Sequence, residues 1–423
     1  MNDRGGFAAL DPCVHCGFCL QACPTFLVTG DEADGPRGRI ELMRSLERGL
    51  VAADDPGLQL HLDRCLGCRG CEPVCPSGVG YGRGLEAARQ RITDIRPAPL
   101  VARLALWFLT TPLISRFVYA GARLLRATGL PHRLSGPGRF RFAMAMLAAT
   151  KHEDSGLGIR DSRVTGQSSI LNPQSPSFSN PPSPALLFSG CVMDGLFSHV
   201  HAATIRTLGV NGYRVAAPAG QVCCGALHAH AGMLEAAREL ARRNLEAFGD
   251  GDEPVVVNSA GCGALLKDYG HLLPDDPAAA RFAARVRDVT EVLADAGPAP
   301  VTYPGIRVAY DPPCHLLHAQ RIADAPLKVL RSIQGLTLVP VPDAEKCCGS
   351  AGLYTVVEPE LSRSVLAGKA AAISGANPDL VLTGNPGCIM QIGAGLAATP
   401  RPIPVRHPVE MLDLAYAHAG RYG

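Results

Sequence analysis

"CVHCGFCLQACP" (residues 13–24) and "CLGCRGCEPVCP" (residues 65–76) spell one pattern twice, Cys-x2-Cys-x2-Cys-x3-Cys-Pro. A cubane iron–sulfur cluster needs one thiolate per iron. Thiolates three residues apart on a tight loop reach three corners, and the fourth must come from elsewhere in the chain. In the bacterial two-cluster pattern the fourth cysteine of each run serves the other run's cluster. On that pattern Cys13, Cys16 and Cys19 join Cys75 at one site, and Cys65, Cys68 and Cys71 join Cys23 at the other. Crossed ligation holds two clusters close together, which suits an electron relay. Zinc is the alternative for closely spaced cysteines, but zinc knuckles supply two ligands each and need no proline-terminated quartet. The doubled pattern therefore predicts two [4Fe–4S] clusters. His15, inside the first loop, is read as a passive loop residue rather than a ligand.

Outward from these runs, the second half of the chain repeats itself. Cys191, Cys223, Cys224 and Cys262 are matched by Cys314, Cys347, Cys348 and Cys388. The spacing from the first cysteine to the pair is 32 against 33 residues, and from the pair to the last it is 38 against 40. Matching chemistry at a period of about 120 residues implies two copies of one domain. Short apolar runs precede these cysteines ("ALLFSG", "PVVVNSAG", "RVAY", "DLVLTGNPG"), and helical patterns such as 232–248 lie between them. Alternating strand and helix argues for parallel sheets, whose ligands sit in loops beyond the strand C-termini. All eight cysteines are expected in such loops. Each Cys-Cys is followed by a glycine that lets the backbone turn. The two sets are candidates for a further metal centre, one in each copy or one built jointly; buried packing cysteines or transient disulfides are the plainer reading, and the matching spacing in both copies weighs against it. His228, His230, His315 and His318 stand nearby and are left without a role.

Composition bounds the rest. A chain of 423 residues has room for two or three domains, and 40 basic against 38 acidic residues leave no nucleic-acid footprint. Sixteen clustered cysteines and an opening stretch without an apolar core point to a reducing cytoplasm. No stretch reaches the roughly 18–20 apolar residues of a spanning helix. The expected organisation is α+β overall. Residues 1–96 form a helical two-cluster domain with a helix near 38–50, 97–150 a helical connector, and 151–184 a Ser/Pro-rich linker. Two α/β Cys-Cys-Gly domains follow at 185–300 and 301–423. The connector mixes apolar residues around Trp107 with arginines. Apolar stripes are usually core, so packing on a partner subunit or on the chain's own core is expected, with a helix lying in a membrane surface as the alternative. "GPGRFRF" (136–142) and "GSAGLY" (349–354) lack the strand–turn–helix context of a dinucleotide site, so no flavin is expected in this chain.

The sequence resembles the iron–sulfur subunit of bacterial glycolate oxidase. The likeness is carried by "CVHCGFCLQACPTF", "DGPRGRIELM", "HLDRCLGCRGCEPVCPSGVGYG", "CCGALHAH", "SAGCGALLKDYG" and "CCGSAGLY", in that order, and is poorest over 97–184. It implies a ferredoxin-like N-terminal domain and an electron-transfer role without catalysis by the isolated chain. It further implies FAD-containing partner subunits that oxidise glycolate, electrons passed towards a quinone pool, and a cytoplasmic chain peripheral on the inner membrane face. Lactate or glycerol-3-phosphate dehydrogenase subunits and heterodisulfide-reductase-like enzymes are the alternatives. Reductase-type modules end in Cys-x-x-Cys, whereas Leu265 and Gln391 stand at the fifth-thiol positions here, which argues against disulfide chemistry.

Overall fold

A computed structural model describes residues 5–136, 138–151 and 182–422. Most of the stretch read as a linker lies outside the described residues, although β1 already begins at Ser183.

Residues 5–96 fold as short helices around the two cysteine runs. The helix expected near 38–50 spans Pro36–Glu47, with Pro36 in its first turn, where a missing N–H costs nothing. It buries Ile40, Met43 and Leu46, while Leu50 falls beyond its end and is exposed. A second helix, Tyr81–Ile95, closes this core through Tyr81, Leu85 and Ala88.

The connector forms helices Leu100–Thr110, Pro112–Ala127 and Arg139–Ala148. Within this chain the connector is only partly covered. Only a narrow face packs inward, through Ala102, Leu106 and Ala145, with the Tyr119 ring set against Gly195. Leu100, Trp107, Leu113, Phe117 and Leu124 face outward. The reason is the distribution of apolar residues, which cover more of these helices than the protein behind them can. Among the described residues no single helix is long and apolar enough to cross a membrane.

The second half holds two four-stranded sheets with one topology. The first comprises β1 (Ser183–Phe188), β2 (Tyr213–Ala216), β3 (Val255–Val257) and β4 (Val286–Asp288), in the order β2-β1-β3-β4. The second comprises β5 (Val301–Tyr310), β6 (Ile333–Val339), β7 (Leu380–Leu382) and β8 (Val405–Arg406), in the order β6-β5-β7-β8. Every pairing is parallel, in register Leu187↔Val256 and Ala309↔Val381 at the centres. The all-apolar β3 and β7 are wholly buried, as strands covered on both faces must be.

In both sheets the chain leaves the first strand to one side and returns on the other. The crevice between β1 and β3, and between β5 and β7, is the switch point where open sheets place ligands. The two C-terminal edges face each other. Ala260 N donates to Gly384 O (3.1 Å), Gly261 N to Asn385 Oδ1 (3.2 Å), and the His407 ring bonds Asn258 O (3.1 Å). One apolar core runs across both repeats, from Ala185 and Phe197 to Val308 and Leu382.

Candidate functional site

The sixteen cysteines, all free thiols, gather at three places. Cys13, Cys16, Cys19 and Cys75 surround a cavity near the surface, with Cys71 at its inner wall. Gly17, at φ +84°, makes the turn that points Cys16 and Cys19 the same way. Val14 and Phe18 stand exposed on its rim, and His15 reaches out to Glu41 at 4.0 Å.

Cys23, Cys65, Cys68 and Cys71 surround a second, deeper cavity. These are the two crossed sets expected from the spacing. Cys71, Pro36 and Tyr81 line both cavities, so the two share a wall.

The deeper cavity is dressed with donors. Tyr81 OH donates to Cys65 Sγ at 3.5 Å and Gly67 N to the same sulfur at 3.4 Å. Arg39 is 1% exposed; its Nη1 lies 4.0 Å from Cys23 Sγ and donates to Thr25 Oγ1 at 3.0 Å. Burial opposes its charge, but Cys65, Tyr81, Cys23 and Asp34 together hold it protonated. Asp34, fully buried, is held by Arg39 (3.5 Å), Arg64 (2.9 Å) and His61 (2.9 Å). Burial pushes the Cys19 thiol up to about 11 and Cys71 well above its ordinary range. Such thiols keep their protons at neutral pH until a metal displaces them.

The remaining eight cysteines line one chamber of about 650 Å³ between the facing sheet edges. The two sets open onto the same chamber, while their sulfur–sulfur contacts lie within each set. Cys191 and Cys314 follow β1 and β5. The Cys-Cys pairs turn through Gly225 and Gly349, at φ +89° and +85°. A Cβ on Gly349 would lie 2.5 Å from Ser362 O. Cys262 and Cys388 depart from the loop expectation. They lie within the first turns of helices Ala260–Leu266 and Pro386–Ala397, because each helix starts directly at the strand end.

Within each set the thiols touch in series: Cys191 Sγ donates to Cys223 Sγ (3.7 Å) and Cys314 Sγ to Cys347 Sγ (3.9 Å). S–H donors from Cys191 and Cys224 lower the Cys223 thiol, and those from Cys347 and Cys388 lower Cys348. Asn385 joins the repeats, donating to Cys388 Sγ at 3.5 Å and accepting from Ser259 Oγ at 3.2 Å. At the fifth-thiol position Gln391 is buried and donates to Ser362 Oγ at 2.9 Å, bracing the Cys-Cys-Gly turn instead. His230 and His315 stack at 5.3 Å on the chamber wall. Burial lowers both rings, His230 to about 3, so both are neutral at pH 7.

The deeper cavity and the chamber adjoin. Cys65 and Leu66 line both, and the Cys68 thiol bonds Cys347. His315 bonds Gly67 O at 3.1 Å and Tyr354 OH donates to Arg64 O at 2.8 Å. On the other repeat Arg89 donates to His230 O (3.0 Å) and Thr93 to Gly232 O (2.9 Å).

Family models cover the cysteines of all three places. Residues 9–79 match the 4Fe-4S dicluster domain, and 185–267 and 308–393 each match the cysteine-rich domain named for its Cys-Cys-Gly. The chain is 34% identical to the probable glycolate oxidase iron-sulfur subunit of Bacillus subtilis, over 96% of this chain and 94% of that one. It is 33% identical to the glycolate oxidase iron-sulfur subunit of Escherichia coli over the same shares. The chain belongs to the glycolate oxidase iron–sulfur subunit family. It is also 33% identical to lactate utilization protein A of Geobacillus kaustophilus, over 54% of this chain and 97% of that one.

Sequence reasoning passed over several residues that the structure places beside or just behind the sulfurs of the deeper cavity. Arg39 was visible as a charged residue on the apolar stripe of Ile40, Met43 and Leu46, which is where an unexplained charge marks a buried partner. Asp34 and Tyr81 carried no such signal, because His61 and Arg64, which meet Asp34, and Cys65, which meets Tyr81, lie far off in the chain.

Proposed function

We propose that this chain is the electron-transfer subunit of a 2-hydroxy-acid oxidase, with glycolate oxidised on an FAD-containing partner and a membrane quinone as the acceptor. The observation that carries this reading is the run of three thiol-lined spaces sharing walls, from the exposed rim at Val14 and Phe18 to the chamber between the repeats. We assign Cys13, Cys16, Cys19 and Cys75 to one [4Fe–4S] cluster and Cys23, Cys65, Cys68 and Cys71 to the other, since four thiols converge on each cavity. Bound there, such clusters take up and release single electrons.

The chain's own residues set the conditions for that traffic. Arg39, Tyr81 and Gly67 direct positive charge and N–H or O–H dipoles at the buried sulfurs, which favours the more negative, reduced state. The exposed rim around Cys16 is where a flavoprotein would dock. We assign the eight thiols of the chamber to a further metal–sulfur centre, held by Cys191, Cys223, Cys224 and Cys262 with Cys314, Cys347, Cys348 and Cys388. Oxidation of glycolate itself is assigned to the partner, and the passage of electrons to this chain. The chain is read as cytoplasmic, at the inner face of the membrane.

Iron and sulfide per chain, measured after anaerobic purification, test this. More than about eight irons are expected, falling towards about eight when Cys223, Cys224, Cys347 and Cys348 are changed to Ser. About eight in both proteins would remove the third centre. Zinc in place of iron would sink the relay.

A further inference from the structure

The outward face of the connector points to a partner. Between residues 97 and 150 the chain carries seven arginines and no Asp or Glu, while the whole chain has a net charge of only +2. The remainder is therefore net negative, at −5. Six of the seven arginines (103, 116, 123, 133, 139 and 141) are exposed. Arg126 alone turns inward, to Thr150 O, Thr150 Oγ1 and Leu196 O.

Large apolar side chains stand among the exposed arginines. On helix Leu100–Thr110 they recur at Leu100, Leu104, Trp107 and Phe108, a single outward stripe opposite the buried Ala102 and Leu106. On the next helix Leu113, Phe117 and Leu124 are 69%, 78% and 71% exposed. The helices Leu100–Thr110 and Leu113–Ala127 meet at 94°, so together they lay a bent apolar surface sideways rather than a rod through a bilayer.

Apolar side chains interleaved with arginine, without one carboxylate, match the two layers of an anionic membrane surface. The apolar groups enter the acyl boundary and the guanidiniums reach the phosphates. Seven arginines without one carboxylate match a surface of uniform negative charge, which favours lipid; a protein partner, whose interfaces also favour aromatic residues and arginine, is the other outcome of the test. We propose that the face formed by helices Leu100–Thr110, Pro112–Ala127 and Arg139–Ala148 seats this chain on a bilayer of anionic lipid. Leu100 and Arg103 belong to this face and also line the thiol chamber, so the lipid seat and the chamber share a wall.

Trp107 is the sole tryptophan, half exposed at the centre of this face, and reports on it without labelling. The full chain, purified anaerobically, is mixed with vesicles of equal parts phosphatidylglycerol and phosphatidylcholine, or of phosphatidylcholine alone. Flotation with the anionic vesicles, a blue shift of Trp107 emission and its quenching by bromine-labelled acyl chains are expected. Binding should weaken as salt rises. Changing Arg103, Arg116 and Arg123 together to Gln should lower the apparent affinity roughly a hundredfold, at about 1 kcal/mol for each arginine near the surface. The substituted side chains are exposed, so the fold is retained, and the visible absorbance of the bound clusters confirms it. Two results overturn the proposal. One is no flotation and no blue shift with anionic vesicles. The other is a blue shift caused by the flavoprotein partner in lipid-free buffer, with vesicles adding nothing. Neither touches the relay reading, which is judged by iron content.

Discussion

The two repeats present the same four thiols at the same edge of the same sheet, yet they surround them differently. In the first, the helix after the Cys-Cys pair, Leu234–Phe248, offers the neutral Asn244. Its Oδ1 accepts from Val222 N at 2.9 Å, and its Nδ2 donates to Cys223 O and to Tyr269 OH. In the second, helix Pro359–Ala376 offers Lys369, whose Nζ bonds Asp311 Oδ1 (2.7 Å) and Ala344 O (2.8 Å) beside Cys347 and Cys348. The second repeat is also the one whose thiols touch the deeper N-terminal cavity, through Cys68 and Cys347. A duplicated fold has thus kept its thiol geometry while setting a buried lysine–aspartate pair beside the set of thiols that reaches the deeper cavity. The comparison teaches that sheet and switch point decide where the thiols stand, and single side chains decide what each set experiences.

Removing the lysine should give the largest effect. Lys369→Met leaves Asp311, 2% exposed, as a buried carboxylate without its cation, at a cost of about 3–5 kcal/mol. Denaturant unfolding should show that loss, and Asp311→Asn in the same chain should recover most of it. Asn244→Ala in the first repeat strands neutral partners only and should cost about 1–3 kcal/mol. Equal losses at the two sites would erase the distinction between the repeats.

A second contrast lies where each fourth strand meets its helix. Asp288 and His407 are both N-caps with a capping box, completed by Glu291 and Glu410. Burial pushes Asp288 up to about 6 and His407 down to about 4. The signs are opposite. Folded Asp288 holds its proton more tightly than the unfolded chain, so its contribution falls as pH rises from about 4 to about 6. Folded His407 resists its proton, so its contribution is complete above about pH 6.5 and is lost as pH falls towards 4. Each slope is on the order of 3 kcal/mol across its window, and in the intact chain they oppose each other. Asn is a good cap for both helices. Asp288→Asn should make stability rise more steeply with pH over 4–6, and His407→Asn should make it fall. Urea midpoints across that range check both, and slopes unchanged from the parent would refute the assignment.

The sequence made legible whatever is local. Cys-x2-Cys-x2-Cys-x3-Cys-Pro fixes three thiols on one loop, so the convergence of Cys13, Cys16, Cys19 and Cys75 could be expected before any coordinates. The repeat spacing likewise foretold two like sheets. What remained hidden depends on how separate pieces face each other. The joint chamber rests on Ala260 meeting Gly384 and on His407 reaching Asn258, contacts with no local pattern. Cys262 and Cys388 were placed in loops because a strand passing straight into a helix leaves little mark in composition. The connector's apolar stripe was legible, but what covers it was not, because such a stripe reads alike whether the chain's own core, a partner or lipid is to meet it.

The same contrast, on a smaller scale, separates the two N-terminal cavities. The outer one has an exposed Cys16 and a rim of Val14 and Phe18, whereas the inner one has Arg39 and the Tyr81 hydroxyl against its sulfurs. A hydrogen bond to sulfur stabilises the reduced state more than the oxidised one, because the reduced state carries more negative charge. Tyr81→Phe deletes one donor to Cys65 Sγ and leaves the ring in its packing place, so the fold should persist. At about 1 kcal/mol for the bond, the loss corresponds to roughly 40 mV for a one-electron couple, towards more negative potential. Redox titration followed by electron paramagnetic resonance should show one of the two cluster signals shifted by that amount and the other unmoved. A shift of both signals alike would mean that the shared wall of Cys71, Pro36 and Tyr81 couples the cavities too strongly for one hydroxyl to address a single site. A shift of neither would remove Tyr81 from the inner site's tuning and leave Arg39 as the group that distinguishes the two.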